Sequence, residues 1–184
     1  MAGQSTIVVD ANSLLNLATV RVDASDRAPT GADPLKALLA TYEVHVPDVV
    51  LGEIGEAAVG DDLLARAANL VLQAAHHLTT HDVEAALEAP LTYGLDTGES
   101  HAIWLANDLQ AAMFLTDEFN TTNYLLVSLA LDDRNTLFTT PHVLCSLARD
   151  GILSAAYVDA VLTYFVETKH WDSAYVERLR SEYL

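Results

Sequence analysis

The stretch STIVVDANSLL, residues 5–15, decides the fold class of this chain. Residues 6–10 are rich in β-branched side chains, which is typical of a short buried strand. The strand pattern ends at Asp10, and a helical pattern begins within two residues and covers 12–20. A buried strand that passes directly into a helix is the repeating unit of a parallel α/β sheet.

The same alternation continues to the end of the sequence. Further strands are predicted at 43–46, 113–116 and 136–139, and a polar loop is predicted at 23–33. Helices are predicted at 34–41, from 48, and at 61–75, 82–88, 98–109, 120–131, 141–149, 158–166 and 172–182. We therefore expect an α/β fold of three layers, α/β/α, with a short central parallel sheet of four to five strands and extra C-terminal helices. Residues 1–184 contain no linker or repeat, so a single domain is expected.

The charge balance is strongly acidic. There are 26 acids against 9 Lys and Arg, a net charge of −17, and the only lysines are Lys36 and Lys169. This composition resembles proteins of salt-loving organisms, halophilic archaea among them, although an ordinary soluble acidic protein is the alternative. The balance argues against a basic patch that grips nucleic acid. At roughly 1 M salt, however, the Debye length is about 3 Å, so repulsion from phosphate is strongly screened.

Composition also sets the expected compartment. A hydrophobic content of 51% is ample for one core and excludes a disordered chain. Cys145 is the single cysteine, which excludes an internal disulfide. No stretch is long and uncharged enough to span a bilayer, and the first ten residues lack the pattern of a secretory signal. We expect a cytoplasmic protein.

Four acidic residues fall where a predicted strand gives way to a turn or helix: Asp10, Glu53, Glu99 and Asp117. In a parallel sheet, functional groups gather outside the carboxyl ends of the strands. Carboxylates gathered there repel each other unless they are protonated or share cations, and no Lys or Arg accompanies them in these segments. The pattern predicts a site for Mg²⁺ or Mn²⁺, both of which prefer oxygen ligands.

The four acids differ in their predicted roles. Asp10, Glu99 and Asp117 are expected as direct metal ligands, and Glu53 is expected to bind through a water or to orient one. Two metal ions about 3.5–4 Å apart can activate water and stabilise a departing oxyanion in phosphodiester hydrolysis. The auxiliary candidates are Asn12, Asp96 and Glu118.

Each acid also has a purely structural interpretation. Asp10 and Asp117 could cap the helices that follow them. Asp96 and Glu99 have the spacing of a capping box, and Glu53 could be a solvated residue on a helix face. Capping and metal binding are compatible, because a helix N-terminus favours a carboxylate.

Five segments together resemble one known family. They are VVDANSLLNL, VPDVVLGEI, LDTGESHAIWLA, FLTDEFN and TLFTTPHVLCSLARDGIL. In this order, with an acid in each of the first four, they resemble the motifs of PIN-domain proteins, which are metal-dependent nucleases that include toxin ribonucleases of toxin–antitoxin pairs. The resemblance covers about residues 5–155, and residues 156–184 form a helical extension.

The resemblance implies a Mg²⁺- or Mn²⁺-dependent endoribonuclease with Asp10, Glu53, Glu99 and Asp117 as catalytic residues. It implies an RNA substrate, an antitoxin or other protein partner, and a homodimer. Toxin-type members often carry a base shortly after the fourth acid, whereas here the segment reads EFNTTNYLL. The alternative is a non-catalytic PIN-like binding module in an RNA-processing assembly; an antitoxin-bound regulatory subunit and a DNA flap nuclease are further alternatives.

Other chemically active residues have simpler interpretations. His76, His77 and His81 are interpreted as surface residues, because adjacent helical positions point about 100° apart. Thr139 and Thr140 are expected to serve the strand end and the following helix cap. Near the C-terminus, the aromatic residues Tyr157, Tyr164 and Trp171 either pack in the core or dock a partner or second copy.

Overall fold

The computed structural model describes residues 4–24, 32–91, 93–117, 121–132 and 136–184. The strands are β1 (Thr6–Val9), β2 (Glu43–Pro47), β3 (Thr79–His81), β4 (Met113–Leu115) and β5 (Thr136–Phe138). The helices are α1 (Ala11–Asp23), α2 (Pro34–Thr41), α3 (Asp48–Ala57), α4 (Leu63–Gln73), α5 (Val83–Ala86), α6 (Thr97–Asp108), α7 (Thr121–Ala130), α8 (Thr140–Arg149), α9 (Ala155–Lys169) and α10 (Ser173–Tyr183), with a 3₁₀ turn at Ala75–His77.

The described strands form one parallel sheet in the order β3-β2-β1-β4-β5. β1 is central, and its Ile7 lies beside Val44 of β2 and Met113 of β4. Since all five strands point the same way, their carboxyl ends share one edge of the sheet, which we call the carboxyl edge. The predicted α/β class and the strand number are thus confirmed.

Helices cover both faces of the sheet. Side chains of successive strand residues point to opposite faces, and in β1 Ile7 and Val9 join one buried cluster while Val8 joins another. The first cluster packs the sheet against α1, α3, α4, α8 and α9, and the second packs it mainly against α6. The result is the predicted three-layer arrangement.

The C-terminal helices belong to the larger of these clusters. Tyr157, Tyr164 and Trp171 are all buried, and the Trp171 ring stacks on Phe165 with centroids 4.2 Å apart. α8 contacts both α9 and α10. The core interpretation of these three aromatic residues is therefore confirmed.

Two local features differ from the sequence prediction. β3 was not predicted, because its three residues carry no apolar run and it pairs with one neighbour only. His81 lies in it half-buried, with Nε2 2.8 Å from Nδ1 of His45, whereas His76 and His77 are exposed as expected. The predicted loop at 23–33 starts later, because α1 continues to Asp23; residues 25–31 lie outside the described part.

The length and polarity of each helix show whether it could cross a membrane. Among the described residues, no helix combines the length and the apolar character that a bilayer crossing requires.

Candidate active site

Asp10 and Asp117 lie side by side at the carboxyl edge. The backbone N–H of Asp10 donates to the carbonyl of Leu115 at 3.0 Å, which extends the pairing of β1 with β4 by one residue. Asp10 then caps α1, and its Oδ1 accepts from the Ser13 N–H at 2.7 Å. Both Asp10 and Asp117 are buried. The predicted N-cap role of Asp10 is confirmed, and it places the carboxyl beside the end of β4.

Asp117 is held by two neighbouring elements. The Asn16 side-chain amide of α1 donates to its Oδ2 at 2.7 Å. At the start of α8, the backbone N–H of Thr140 donates to Oδ1 at 2.7 Å and the Thr140 hydroxyl donates to Oδ2 at 2.6 Å. These three donors fix the carboxylate between two helix N-terminal regions, where negative charge is favoured.

The two carboxyls share an unfavourable environment. Burial, followed by the charge of Asp117, raises the pKa of Asp10 from 3.8 to about 6. Burial also raises the pKa of Asp117, although the bonds from Thr140 and Asn16 oppose this. Asp117 accepts from more donors than Asp10 does, and hydrogen bonds to a carboxylate favour its charged form.

Glu53 lies at a second place, where α3 meets the start of α6. Its pKa is raised by partial burial, then by the charges of Asp96 and Glu56. Its carboxylate rests on Gly98, where a Cβ would overlap with Oε1. Because Gly98 has no side chain, the carboxylate of Glu53 can approach the N-terminus of α6.

Glu99 occupies the first turn of the same helix. Its backbone N–H donates to Oδ1 of Asp96 at 2.8 Å, so Asp96 is the N-cap of α6. The Glu99 side chain is half-buried. The capping interpretation of Asp96 is confirmed. α6 precedes β4 and therefore runs against the strands, which brings its first turn to the carboxyl edge.

The auxiliary candidates have different outcomes. Asn12 is exposed in the first turn of α1, and its role stays a prediction. Glu118 lies outside the described residues. The amide that reaches the acid pair comes from Asn16, one turn beyond Asn12 on α1.

Thr140 and Tyr175 complete the surroundings of Asp117. Thr139 caps α8 as expected, whereas Thr140 binds Asp117. The Tyr175 hydroxyl of α10 lies 2.8 Å from Oγ1 of Thr139, and the charge of Asp117 contributes to raising its pKa, after burial. Sequence reasoning missed Asn16 and Tyr175. Asn16 is a polar residue between the apolar residues Leu15 and Leu17 of α1, which is a usable signal, whereas Tyr175 is distant in sequence and has none.

The acid pair fits a hard cation by its chemistry. Burial raises the pKa of both carboxyls, and the charge of Asp117 adds to the rise at Asp10. Among the described residues, neither carboxyl forms an ion pair with Lys or Arg. Carboxylate oxygens are the donors that Mg²⁺ and Mn²⁺ prefer. In the part of the chain that the structure describes, however, no three side chains of His, Cys, Asp or Glu form a metal-binding group. The four-acid metal site stays a prediction.

Comparison with protein-family models, curated proteins and solved structures finds no match for this chain. Its function is therefore argued from the site itself.

Proposed function

We propose that this protein is a metal-dependent endoribonuclease of PIN type, which hydrolyses RNA phosphodiester bonds at the carboxyl edge of its sheet. The observation that carries the proposal is the buried pair Asp10–Asp117. A carboxyl whose pKa is raised by burial and then by a like charge is costly for folding alone, and it becomes useful when a cation displaces its proton.

In this proposal, Asp10 and Asp117 hold Mg²⁺ or Mn²⁺, and Glu53 and Glu99 act from the neighbouring ends of α3 and α6. When bound, the cation supplies a water of lowered pKa and stabilises charge on the departing oxygen. Asp10 must lose its proton first, so binding strengthens as the pH rises through about 6. Asn16 and Thr140 orient Asp117 throughout.

The same proposal extends to partners. We propose RNA as the substrate, with an antitoxin or another protein, and a second copy of this chain, as binding partners. The proposed metal would provide the positive charge that meets phosphate, since Lys and Arg are scarce in this chain.

The second candidate is a non-catalytic PIN-like binding module in an RNA-processing assembly. The observation that favours it is the lack, among described residues, of a group of three metal-binding side chains. In this case the acid pair positions helices through its hydrogen bonds and needs no cation.

An RNA cleavage assay distinguishes the two candidates. The purified chain is incubated with a mixed RNA pool and Mn²⁺ or Mg²⁺ at salt concentrations from about 0.1 to about 1 M, a range over which the Debye length falls from about 10 to about 3 Å. Asp10→Asn and Asp117→Asn are compared with Asp62→Asn. Asp62 is a matched control, since it caps α4 through an equivalent bond to the Ala65 N–H at 2.8 Å.

The nuclease proposal expects cleavage by the wild type and by Asp62→Asn, and a loss of at least about a hundredfold in either site variant, as is typical for groups that carry metal-ion or acid–base chemistry. Equal RNA turnover by the wild type and Asp10→Asn, or none with either metal, contradicts it and leaves the binding module.

A further inference from the structure

A cavity lies away from the acid pair. It measures about 640 Å³ and opens between α1, α2, α4 and the 3₁₀ turn at Ala75–His77. Small-molecule sites in proteins usually occupy about 300–1,000 Å³. The cavity thus has the size of a ligand site, and its lining determines what it can hold.

The floor of the cavity is apolar. α2 contributes Leu35 and Leu39, α1 contributes Ala18, and Leu70 and Ala74 come from α4 and its end. Leu35 is buried, and Leu39, Leu70 and Ala74 are half-buried. An apolar ligand body placed here removes both its own surface and this floor from water, which is favourable in proportion to the area covered.

The rim of the cavity carries basic groups in a chain where they are scarce. Arg21, Lys36, His76 and His77 line it, whereas Asp33 is the one acid among the described lining residues. Across the whole chain acids outnumber Lys and Arg by 26 to 9. Basic residues therefore outnumber acidic residues at the rim, whereas acidic residues are in excess over the whole chain.

The charged groups at the rim are also available to a ligand. Among the described residues, Arg21 and Lys36 form no ion pair, and both are exposed. Oδ1 of Asp33 is engaged as the N-cap of α2, where it accepts from the Lys36 backbone N–H at 3.1 Å. The His76 ring is held at the rim, with Nδ1 3.1 Å from the carbonyl of Gln73.

The cavity is separate from the acid pair. Asp10 precedes the first turn of α1 and Arg21 lies in its last turn. Arg21 follows Asp10 by eleven residues, and at a helical rise of about 1.5 Å per residue the Cα atoms of these two residues are about 16 Å apart. A ligand of the cavity therefore does not share contacts with Asp10 or Asp117.

From these observations we propose that the cavity binds a small organic anion with an apolar body, such as a medium-chain carboxylate. The apolar chain lies on the floor formed by α1, α2 and α4, and the anionic head is bound by Arg21 and Lys36. Hydrogen bonds to a charged partner are stronger than neutral ones, so the two basic side chains determine selectivity for an anion. The acidic surface elsewhere repels anions, which confines binding to this rim.

Isothermal titration calorimetry with octanoate tests the proposal on the full chain at pH 7.5 and about 0.1 M salt, where a Debye length of about 10 Å preserves the charge effect. Two probes separate the two parts of the ligand: 1-octanol has the apolar body without the charge, and acetate has the charge without the body. The variants are Lys36→Gln and Arg21→Gln/Lys36→Gln. Arg149→Gln is the control, because Arg149 is exposed and pairs with Asp150 at 3.1 Å.

We expect one octanoate per chain. 1-Octanol should bind at least about tenfold more weakly, in line with the loss of one charge-assisted bond. Acetate should also bind at least about tenfold more weakly, because it lacks the apolar body that covers the floor. The double variant Arg21→Gln/Lys36→Gln should lower the affinity for octanoate by about tenfold or more. Lys36→Gln should lower it by less, and Arg149→Gln should leave it unchanged. An unchanged melting temperature shows that the variants are folded, as exposed positions predict. The proposal is overturned if octanoate does not saturate, if 1-octanol binds as tightly, or if the double variant binds octanoate as the wild type does.

Discussion

Replacing Asp10 by Asn should stabilise the metal-free protein at neutral pH. Asn keeps the oxygen that accepts from the Ser13 N–H, and Asn is as good an N-cap as Asp. The substitution removes the charge that repels Asp117 and the cost of burying an ionised carboxyl. A stabilising change at a buried, hydrogen-bonded position is unusual, because most substitutions destabilise.

The size of the effect follows from the raised pKa of Asp10. A rise from 3.8 to about 6 corresponds to about 3 kcal/mol, since each pKa unit represents 1.36 kcal/mol. The folded protein binds this proton more tightly than the unfolded chain does. Stability is therefore lost as the pH rises from about 4 to about 6, and the full cost is present above about 6. Asp10→Asn should then be more stable by up to about 3 kcal/mol at pH 7.5.

Urea denaturation followed by circular dichroism measures this difference at pH 7.5 and pH 4. For a chain of this size, 3 kcal/mol corresponds to about 6–12 °C in melting temperature. Using the difference between Asp10→Asn and the wild type cancels the general effect of pH on a chain of net charge −17. Asp62→Asn supplies the baseline for an N-cap substitution.

Two outcomes refute this reasoning. One is a loss of stability in Asp10→Asn at pH 7.5, which makes Asp10 an ordinary cap that needs its charge. The other is an equal difference at pH 7.5 and pH 4, which means that the carboxyl does not titrate between these values in the folded protein.

Two further substitutions test the neighbours of the acid pair. Gly98→Ala should change the free energy of unfolding by no more than about 1 kcal/mol, because only the flexible end of Glu53 must move and Ala favours a helix. RNA cleavage by this variant should nevertheless fall as much as in Glu53→Gln. Cleavage at the wild-type rate would contradict the proposed role of Glu53. Thr140→Val removes the hydroxyl donor to Asp117 and should cost about 1–3 kcal/mol in urea denaturation at pH 7.5. That cost should shrink at pH 4, where the raised pKa of Asp117 favours its protonated form, and an equal cost at both values argues against an ionised Asp117.

The strand-end acids could be predicted because the end of a buried strand is visible in sequence. Asp10 and Asp117 both follow apolar runs, and parallel strands bring their carboxyl ends to one edge. What the sequence does not contain is the strand order. Asp10 meets Asp117 because β4 pairs directly with β1, and that adjacency depends on the packing of the helices over the whole sheet.

The same limit explains why the surroundings of Glu53 could not be predicted. Its contact with Gly98 arises where α3 meets the start of α6, and the two residues are 45 positions apart in the sequence. Likewise, Tyr175 approaches Asp117 only because α10 packs back on α8. β3 was missed for a different reason, since backbone pairing with β2, rather than apolar side chains, defines this three-residue strand.

The most direct test of the account is the binding of Mn²⁺ to the acid pair. Water-proton relaxation reports bound Mn²⁺, and about 1 M KCl reduces the Debye length to about 3 Å, which suppresses loose binding to surface acids. We predict at least one saturable Mn²⁺ site at pH 7.5 in the wild type and in Asp62→Asn, and the loss of this site in Asp10→Asn and Asp117→Asn. Saturable binding that survives both site substitutions, or no saturable binding in the wild type, contradicts the claim that this pair holds a cation.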